Sequence, residues 1–416
     1  MSNSSATQNS TFDSATGSAP ASVPAASAEQ VASLTEAERS VRDLVASISD
    51  GELAPIAERL DRNEEFAAGV FQKLGAAGLM GIVIPEEYGG AGASFLSAVL
   101  VMEELARNCG GTALSFGAHA FIGAYNIYKA ASEEQRRRFL PDLCSGKKLA
   151  AWALTEPGNG SDAMNLQTRA VKKGDRYILN GSKTFITNGS VADTIMVMAR
   201  TGPADSAHKG ISAFIVERGF PGFSSGQPME KMGMRASPTT ELFFEDCEVP
   251  EENLLGAEGQ GGYLALQGLD MERTLFSGLP IGLIQGALNI ALKYTSERSQ
   301  FGKKIGGFQL VQAMVADISM QLYICRLLAY DAARKLEAGQ NVTLGASYSK
   351  LYASESCVKA TLDAIQLLGG YGYIREYGVE RLMRDAKLIE IGGGTSQIQR
   401  LIIAREVYKQ AGLDLR

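Results

Sequence analysis

The sequence predicts a mostly helical α+β protein in which a small β domain separates two helical domains. Three observations support this prediction: apolar residues recur at helical spacing from about 31 to 150, strand-forming runs dominate 151–268, and helical spacing returns over 269–416. A length of 416 residues allows two or three domains. We therefore expect each of these three segments to form a domain.

The composition argues against several classes of protein. Hydrophobic residues make up 45% of the chain and charged residues 21%, which is the usual balance of a globular protein. The net charge is −6 and no basic block stands out, so we expect no nucleic-acid partner. No run of about 18 uninterrupted apolar residues occurs, so we expect no membrane partner.

The few cysteines and histidines indicate reduced thiols and no metal site. The five cysteines lie far apart without a C-x-x-C spacing, which is typical of a cytoplasmic protein and not of a disulfide framework. Two histidines are too few for a His-based metal site. The chemistry must therefore use carboxylates or a bound cofactor. These residues are Cys109, Cys144, Cys247, Cys325, Cys357, His119 and His208.

The first 30 residues are predicted to form a disordered tail. They consist largely of Ser, Ala, Thr, Asn and Pro, with almost no large apolar residue. Such a segment cannot bury enough apolar surface to offset its loss of conformational entropy. The first basic residue is Arg39, so the tail matches neither a secretory signal nor a mitochondrial presequence.

The segment 31–150 shows the signals of an N-terminal helical domain. Thr35 with Glu38, and Ser132 with Gln135, have the spacing of a capping box at a helix start. Apolar residues then recur every three or four positions, as on the buried face of a helix. One such set is Phe95, Val99, Met102 and Leu105.

The segment 151–268 is predicted to be an antiparallel barrel or sandwich. Asn180-Gly181 and Asn188-Gly189 each follow a run of strand-forming residues, and Asn-Gly is a strong hairpin signal because both turn positions need a positive φ. No helical pattern separates the strands, which favours antiparallel pairing. Further strands are predicted at 194–198, 211–216 and 241–244.

The segment 269–416 is predicted to be a helical bundle. Four long stretches have helical spacing: 270–298, 309–337, 342–368 and 395–410. Gly369-Gly370 ends the third stretch with a typical C-terminal glycine signal. Long helices with short connections favour a bundle.

Three glycine clusters are candidate cofactor sites, although turn formation and helix capping are the more usual explanation for any one of them. A G-x-G-x-x-G after a strand is absent, so a Rossmann site is not predicted. The clusters lie at 158–160, 369–372 and 392–394. The third precedes a helix start at Thr395-Ser396-Gln397, where unpaired N–H groups suit an anion or a polar cofactor edge.

Six motifs in register resemble those of the acyl-CoA dehydrogenases. They cover roughly 31–410, in the order found in that family. Around Gly268–Arg273 and Glu390–Ser396 the chain resembles the isovaleryl-CoA dehydrogenase branch. The motifs are Leu154–Asp162, Phe185–Gly189, Glu297–Gln309, Gln366–Gly372, Arg384–Lys387 and Gly394–Arg400.

The resemblance implies an N-terminal helical domain, a middle antiparallel β-barrel and a C-terminal four-helix bundle, with FAD between the last two. It implies that the flavin lies against Trp152, Leu154, Thr155, Gly160, Ser161, Phe185, Ile186 and Thr187. Core packing is an equal alternative for Trp152. By the same resemblance, Arg298, Gln309, Gln366, Gly369 and Gly370 would hold the adenine and pyrophosphate from a neighbouring subunit. Thr395 and Gln397 would hold adenosine. A shared site implies a homotetramer, a dimer of dimers.

The catalytic base is predicted to be Glu272. In most of the family a glutamate precedes the Gly-Thr of the last motif, but this chain has Gly393 there. In the isovaleryl and long-chain branches the base lies on another helix, at the position of Glu272. The alternative is a solvated glutamate paired with Arg273. The Gly393 N–H would still bind the thioester oxygen.

The resemblance also implies the activity and leaves the substrate open. The family removes an α-proton and a β-hydride from an acyl-CoA thioester and passes electrons to electron-transfer flavoprotein. We expect a short branched substrate such as isovaleryl-CoA, because Gly392 and Gly393 leave space. Cyclic, aromatic, dicarboxylic or long acyl groups, an acyl-CoA oxidase, and a non-catalytic flavin- or acyl-CoA-binding protein remain alternatives. The expected substrate contacts are Ser161, Tyr263, Asp270, Arg273, Gly392 and Gly394, with a helix cap as the alternative for Asp270.

Overall fold

The computed structural model describes residues 33–413, so the predicted disordered tail lies outside the described residues. Helices come first, an eight-stranded sheet follows, and a second set of helices completes the chain. This order confirms the fold class predicted from the sequence.

The N-terminal part is helical, and both predicted capping boxes are present. Thr35 and Ser132 each accept a hydrogen bond from the backbone N–H three residues later, while Glu38 and Gln135 bond back to the cap. The helices are α1 (Glu36–Ile48), α2 (Ala57–Asn63), α3 (Ala68–Ala76), α4 (Phe95–Asn108), α5 (Gly110–Gly117), α6 (Asn126–Ala130) and α7 (Glu133–Cys144). Ser49–Leu53 and Ala118–Tyr125 are π-helical.

The middle part is one mixed sheet, which corrects the prediction of purely antiparallel pairing. Strand β1 runs parallel to β4, and β2 also makes a parallel contact with β4. The order along the sheet is β6-β7-β3-β2-β4-β5-β8. The strands are β1 (Ala150–Ala153), β2 (Arg169–Lys173), β3 (Arg176–Thr187), β4 (Thr194–Arg200), β5 (Ile211–Glu217), β6 (Phe223–Ser225), β7 (Thr239–Pro250) and β8 (Leu254–Leu255).

Neither Asn-Gly pair forms the predicted hairpin. Asn180-Gly181 lies inside β3, where the register with β7 shifts, so it is a bulge in a long strand. Asn188-Gly189 follows β3, but the next strand, β4, does not pair with β3. The hairpin between β2 and β3 turns instead at Gly174, which has φ +64°. Tertiary pairing with β7 therefore overrides the local turn preference.

The C-terminal part begins earlier and contains more helices than predicted. The predicted helix 270–298 is two helices, because the chain turns at Phe276-Ser277, and the first starts at Gly261. A short two-stranded ribbon of β9 (Ser299–Gln300) and β10 (Lys303–Lys304) follows them. The helices are α8 (Gly261–Leu275), α9 (Gly278–Glu297), α10 (Gln309–Glu337), α11 (Thr343–Leu368), α12 (Gly370–Tyr373), α13 (Val379–Ile389) and α14 (Ser396–Gln410).

The two helical parts share one core. Helix α9 packs so closely on α4 that only glycine fits at two positions. A Cβ added at Gly282 or Gly286 would lie 2.2 or 2.4 Å from a backbone oxygen of α4. The buried carboxylate of Glu103 on α4 also accepts hydrogen bonds from Arg326 and Tyr330 of α10. These contacts fix α9 and α10 against the N-terminal helix α4, and the first turn of α9, with Leu279 and Pro280, borders the cavity described below.

Two described segments are long and apolar enough to cross a membrane by length and composition. They are Gly261–Glu297 and Gln309–Glu337. In the most apolar stretch of each segment, 78% of the first and 28% of the second is buried. The first is an interior segment and corresponds to two packed helices. The absence of a membrane partner stays a prediction.

Candidate active site

A cavity of about 680 Å³ lies between the sheet, helix α8, helix α5 and the glycine loop 392–394. Its size is within the usual range for a small-molecule site. Most residues expected from the sequence line it. These are Trp152, Leu154, Thr155, Gly160, Ser161, Phe185, Ile186, Thr187, Glu272, Arg273, Gly392, Gly393, Gly394 and Thr395.

Eight expected residues do not line this cavity. Tyr263 is 47% exposed and stacks edge-on against the ring of His208, at 4.7 Å between centroids. Gln397 lies on the exposed side of α14, whose other face carries the buried Gln399. Asp270 is described below. The others form a separate, largely exposed group on the C-terminal helices: Arg298, Gln309, Gln366, Gly369 and Gly370.

Glu272 faces the glycine loop across the cavity. A Cβ built on Gly393 would lie 3.0 Å from its Oε1, so the carboxylate occupies space that a side chain at 393 would need. Among the described residues it has no hydrogen-bond partner. Burial raises the pKa of Glu272, and the nearby charges of Arg273 and Lys350 oppose that rise. A raised pKa suits a base that must remove a proton from carbon.

Asp270 positions Arg273 and is neither a helix cap nor a cavity residue. It lies within α8, and one of its oxygens accepts a hydrogen bond from Arg273 at 2.9 Å while the other accepts one from Thr343 at 2.6 Å. Arg273 in turn donates to the Gly393 carbonyl at 3.3 Å. The pair therefore connects α8 to the glycine loop, and direct substrate contact by Asp270 stays a prediction.

The glycine loop presents unpaired N–H groups. Gly393 and Gly394 have φ of +65° and +92°, which favour glycine. Among the described residues, the N–H groups of Gly393, Gly394 and Thr395 have no acceptor. The Thr395 hydroxyl caps α14 by accepting from Ile398 N at 3.2 Å. Adjacent unpaired donors at a helix start are suited to a developing oxyanion.

A buried ion pair that was not predicted from the sequence holds the loop that begins with Leu154. Lys183 Nζ lies 2.7 Å from the Glu156 carboxylate and 3.1 Å from the Leu154 carbonyl. Glu156 also accepts from the backbone N–H groups of Gln167 and Thr168. The sequence gives no clear signal for this pair, because a lysine in a strand is usually solvated and only its burial shows that it requires a partner.

The cavity wall fits a planar heterocycle. Phe185 has φ +56° at an irregularity of β3, and its ring is 68% exposed although it borders the cavity. Trp152 packs in an apolar cluster, yet its buried Nε1 lacks a partner among the described atoms. The hydroxyls of Thr155 and Thr187 likewise have no partner among the described residues. An exposed ring beside unpaired polar groups can stack on a planar heterocycle such as an isoalloxazine and form hydrogen bonds with its edge.

The fold and the cavity define an enzyme whose site lies between a β-sheet and two sets of helices, with a buried carboxylate facing a loop of unpaired donors. Three sequence models of one family match this chain. They describe the acyl-CoA dehydrogenase N-terminal domain over residues 35–147, the middle domain over 151–247 and the C-terminal domain over 259–408.

Curated relatives agree with these matches. The chain is 44% identical over 375 residues to "Isovaleryl-CoA dehydrogenase, mitochondrial" of Pongo abelii, covering 89% of each chain. It is also 44% identical over 376 residues to "Acyl-CoA dehydrogenase, short-chain specific" of Clostridium acetobutylicum, covering 90% of this chain and 99% of the relative.

Solved structures are similar over the same span. One chain, from the structure described as "Electron transferring flavoprotein of Acidaminococcus fermentans: Towards a mechanism of flavin-based electron bifurcation", has a TM-score of 0.88 and 43% identity, covering 90% of this chain and 98% of that chain. The "FAD complex of PigA" has a TM-score of 0.87 and 32% identity, covering 91% and 99%. This chain belongs to the acyl-CoA dehydrogenase family, and it is an oxidoreductase with a flavin cofactor.

Proposed function

We propose that this acyl-CoA dehydrogenase removes the α-proton of a short branched acyl-CoA, such as isovaleryl-CoA, with Glu272 as the base. The observation that carries the proposal is the carboxylate of Glu272 opposite Gly393, where the family's usual base is absent. FAD, when bound, would accept the β-hydride at N5. The unpaired N–H of Gly393 would bind the thioester oxygen as negative charge develops there.

The cavity supports a branched apolar acyl group. Leu114, Ala118 and Ile122 line the cavity together with Leu269, which lies one helical turn before Glu272. The loop at 392–394 contributes only backbone on the opposite side. This apolar wall favours an uncharged acyl chain, because an unpaired charge would be desolvated against it. Lys231, Arg273 and Lys350 also line the cavity, so a dicarboxylic substrate stays an alternative that the substrate panel tests.

The substrate prediction is tested by anaerobic flavin reduction with a panel of acyl-CoAs. We expect isovaleryl-CoA to bleach the flavin fastest. Straight, cyclic and dicarboxylic thioesters should be slower by about tenfold or more for each methyl contact that they lose or misplace, because one methylene in a hydrophobic pocket contributes about 1–3 kcal/mol. Equal rates for all thioesters would contradict the branched-chain proposal. Peroxide formation in air without another acceptor would contradict electron-transfer flavoprotein as the partner.

We also propose that FAD is held partly by a second copy of the chain, in a homotetramer. Gln309, Gln366 and Gly370 are exposed, and large exposed apolar side chains lie close to Gln309 and Gly370 in the sequence. The exposed fraction is 92% for Phe301, 83% for Leu310 and 87% for Tyr373, and apolar side chains exposed to this degree favour an interface. A cytoplasmic location stays a prediction, supported by five buried free cysteines.

The assembly is tested with Leu310→Glu. The new carboxylate would be buried between subunits in the assembly. We expect it to separate the subunits and to lower the amount of bound FAD by about tenfold or more, because an unpaired charge at an interface core costs several kcal/mol. Light scattering gives the mass and the absorbance ratio gives the FAD content. Leu401→Glu, on a similarly exposed leucine of α14, is the matched variant. A tetramer that survives Leu310→Glu with full FAD would contradict this arrangement.

A further inference from the structure

Lys350 is a buried cation on the cavity wall that the catalytic scheme does not yet use. It lies on the inner face of α11, with only 7% of the residue exposed, and it lines the same cavity as Glu272. Its Nζ donates a hydrogen bond to the Gly394 carbonyl at 2.6 Å. Among the described residues it has no carboxylate within ion-pair distance. A lysine that is buried without a carboxylate partner requires another reason to be there.

The hydrogen bond helps to fix a loop that has no side chains to pack, because residues 392–394 are all glycine. Lys350 is one of three side chains that hold the carbonyls of this loop. Gln399 donates to the Gly393 and Gly394 carbonyls at 3.3 and 3.2 Å, and Arg273 donates to the Gly393 carbonyl at 3.3 Å. In a planar trans peptide the N–H points opposite to the C=O. Holding the Gly394 carbonyl on the α11 side therefore turns the next N–H, that of Thr395, away from Lys350.

The ammonium group also acts on the base through its charge. Burial lowers the pKa of Lys350 to about 8, and the charge of Glu272 opposes that shift. The other charges that face it are Arg273 on α8, Glu390 after α13 and Glu355 on α11 itself. The charge of Arg273 is shared with Asp270 at 2.9 Å. Lys350 therefore acts on Glu272 as a cation that no carboxylate of the described residues neutralises within ion-pair distance.

We propose that Lys350 is a positioning residue that holds the glycine loop in place and favours the ionised form of Glu272. The inference rests on the proposed function of Glu272 but concerns a different residue. Its first effect is geometric, through the Gly394 carbonyl, and its second effect is electrostatic, through the charge of the ammonium. The two effects can be separated, since a neutral donor keeps the first and loses the second.

The experiment compares Lys350→Met, Lys350→Gln and Lys350→Arg with the parent enzyme in the FAD-loaded state. Difference infrared spectroscopy without substrate gives the titration midpoint of the Glu272 carboxyl, and Glu272→Gln assigns the band. We expect Lys350→Met and Lys350→Gln to raise the midpoint by roughly one pH unit, since a nearby opposite charge shifts a carboxyl by about 1–3 units. Lys350→Arg keeps the positive charge, so we expect its midpoint to differ from that of the parent enzyme by less than about a third of a pH unit.

Turnover supplies a second readout. At a pH below the Glu272 midpoint of the parent enzyme, we expect kcat of both neutral variants to fall by about tenfold, the rate equivalent of one pKa unit for an essential base. At pH 9 the difference should shrink for Lys350→Gln, because the parent lysine has then lost most of its charge. Lys350→Met should stay slower at pH 9, because it also lacks the loop hydrogen bond.

Lys359→Met is the matched control, since Lys359 lies on the same helix and pairs with Asp363 at the surface. It should change neither the midpoint nor kcat. If Lys350→Met does not fold, Lys350→Gln still tests the electrostatic effect. An unchanged midpoint and pH profile in a parent enzyme that reduces its flavin would overturn the role of Lys350. A shifted midpoint in a protein that no acyl-CoA reduces would instead overturn the proposed function.

Discussion

Replacing Glu272 by Gln should abolish acyl-CoA-dependent flavin reduction, with a loss of about 10²–10⁴-fold or more, the usual contribution of a positioned base. Gln has nearly the same shape but cannot accept the α-proton. FAD should stay bound, because Glu272 faces Gly393 and not the Thr155–Ser161 side of the cavity. Anaerobic stopped-flow absorbance measures the reduction, and the visible spectrum of the purified protein measures bound FAD.

The same substitution should lower activity but should not lower the stability of the folded protein at high pH. Burial raises the pKa of Glu272 in the folded protein, so the folded state binds more protons than the unfolded state between the usual carboxyl pKa of 4.5 and the raised value. Stability therefore falls as the pH rises through that window, and the full cost is present above it. Glu272→Gln should accordingly melt at or above the parent temperature at pH 8.

Glu58→Gln is a suitable comparison for both measurements, since Glu58 pairs with Arg62 at the surface and does not line the cavity. It should leave flavin reduction intact. Rapid bleaching by Glu272→Gln would show that another group removes the proton. A large loss of melting temperature together with lost activity would show a structural role for Glu272 instead of a catalytic one.

Replacing Lys183 by Met should destabilise the protein by about 3–5 kcal/mol, the usual result of removing one partner from a buried ion pair. Lys183 is fully buried and Glu156 nearly so. Burial raises the pKa of Glu156, but the charge and hydrogen bond of Lys183 and the bonds at Thr168 and Gln167 outweigh it and lower the pKa overall. Met would leave this carboxylate charged and without its cation.

Loss of the pair should also loosen the loop that carries Thr155 and Ser161, so we expect lower FAD content in Lys183→Met. Urea unfolding followed by far-ultraviolet circular dichroism gives the free energy, and absorbance gives the FAD ratio. The double variant Glu156→Gln with Lys183→Met should be less destabilised than the single one, because no charge remains buried. Equal stability of Lys183→Met and the parent protein would contradict the role of the pair.

The helical parts of the fold were predictable because their signals are local. The capping boxes at Thr35 and Ser132 depend on residues three positions apart, and both form as expected. The sheet was less predictable, because the long β7 pairs with β3 through Asn180-Gly181 and converts a turn signal into a bulge. The parallel contact of β1 with β4 joins segments about 40 residues apart, and no local pattern encodes such a pairing.

Which residue types line the cavity was also largely readable from the sequence, but their partners were not. The motif residues from Trp152 to Thr187 do gather around one cavity. Lys183 and Lys350 were overlooked, since a lysine in a strand or a helix is usually solvated and only its burial reveals a structural role. Tyr263 was placed in the site by resemblance, yet the fold turns it toward His208.

By itself, the sequence determined the order of the domains, the family and the absence of an acid at position 393, because these depend on residue type and on spacing along the chain. The tertiary structure alone decided that Glu272 lies opposite that empty position and that Lys350 holds the neighbouring loop. Helices α8 and α11 and the loop at 392–394 are far apart in sequence and meet only when the apolar faces of the bundle are buried together. The direction of a carboxylate, and the solvation that sets its pKa, follow from that packing.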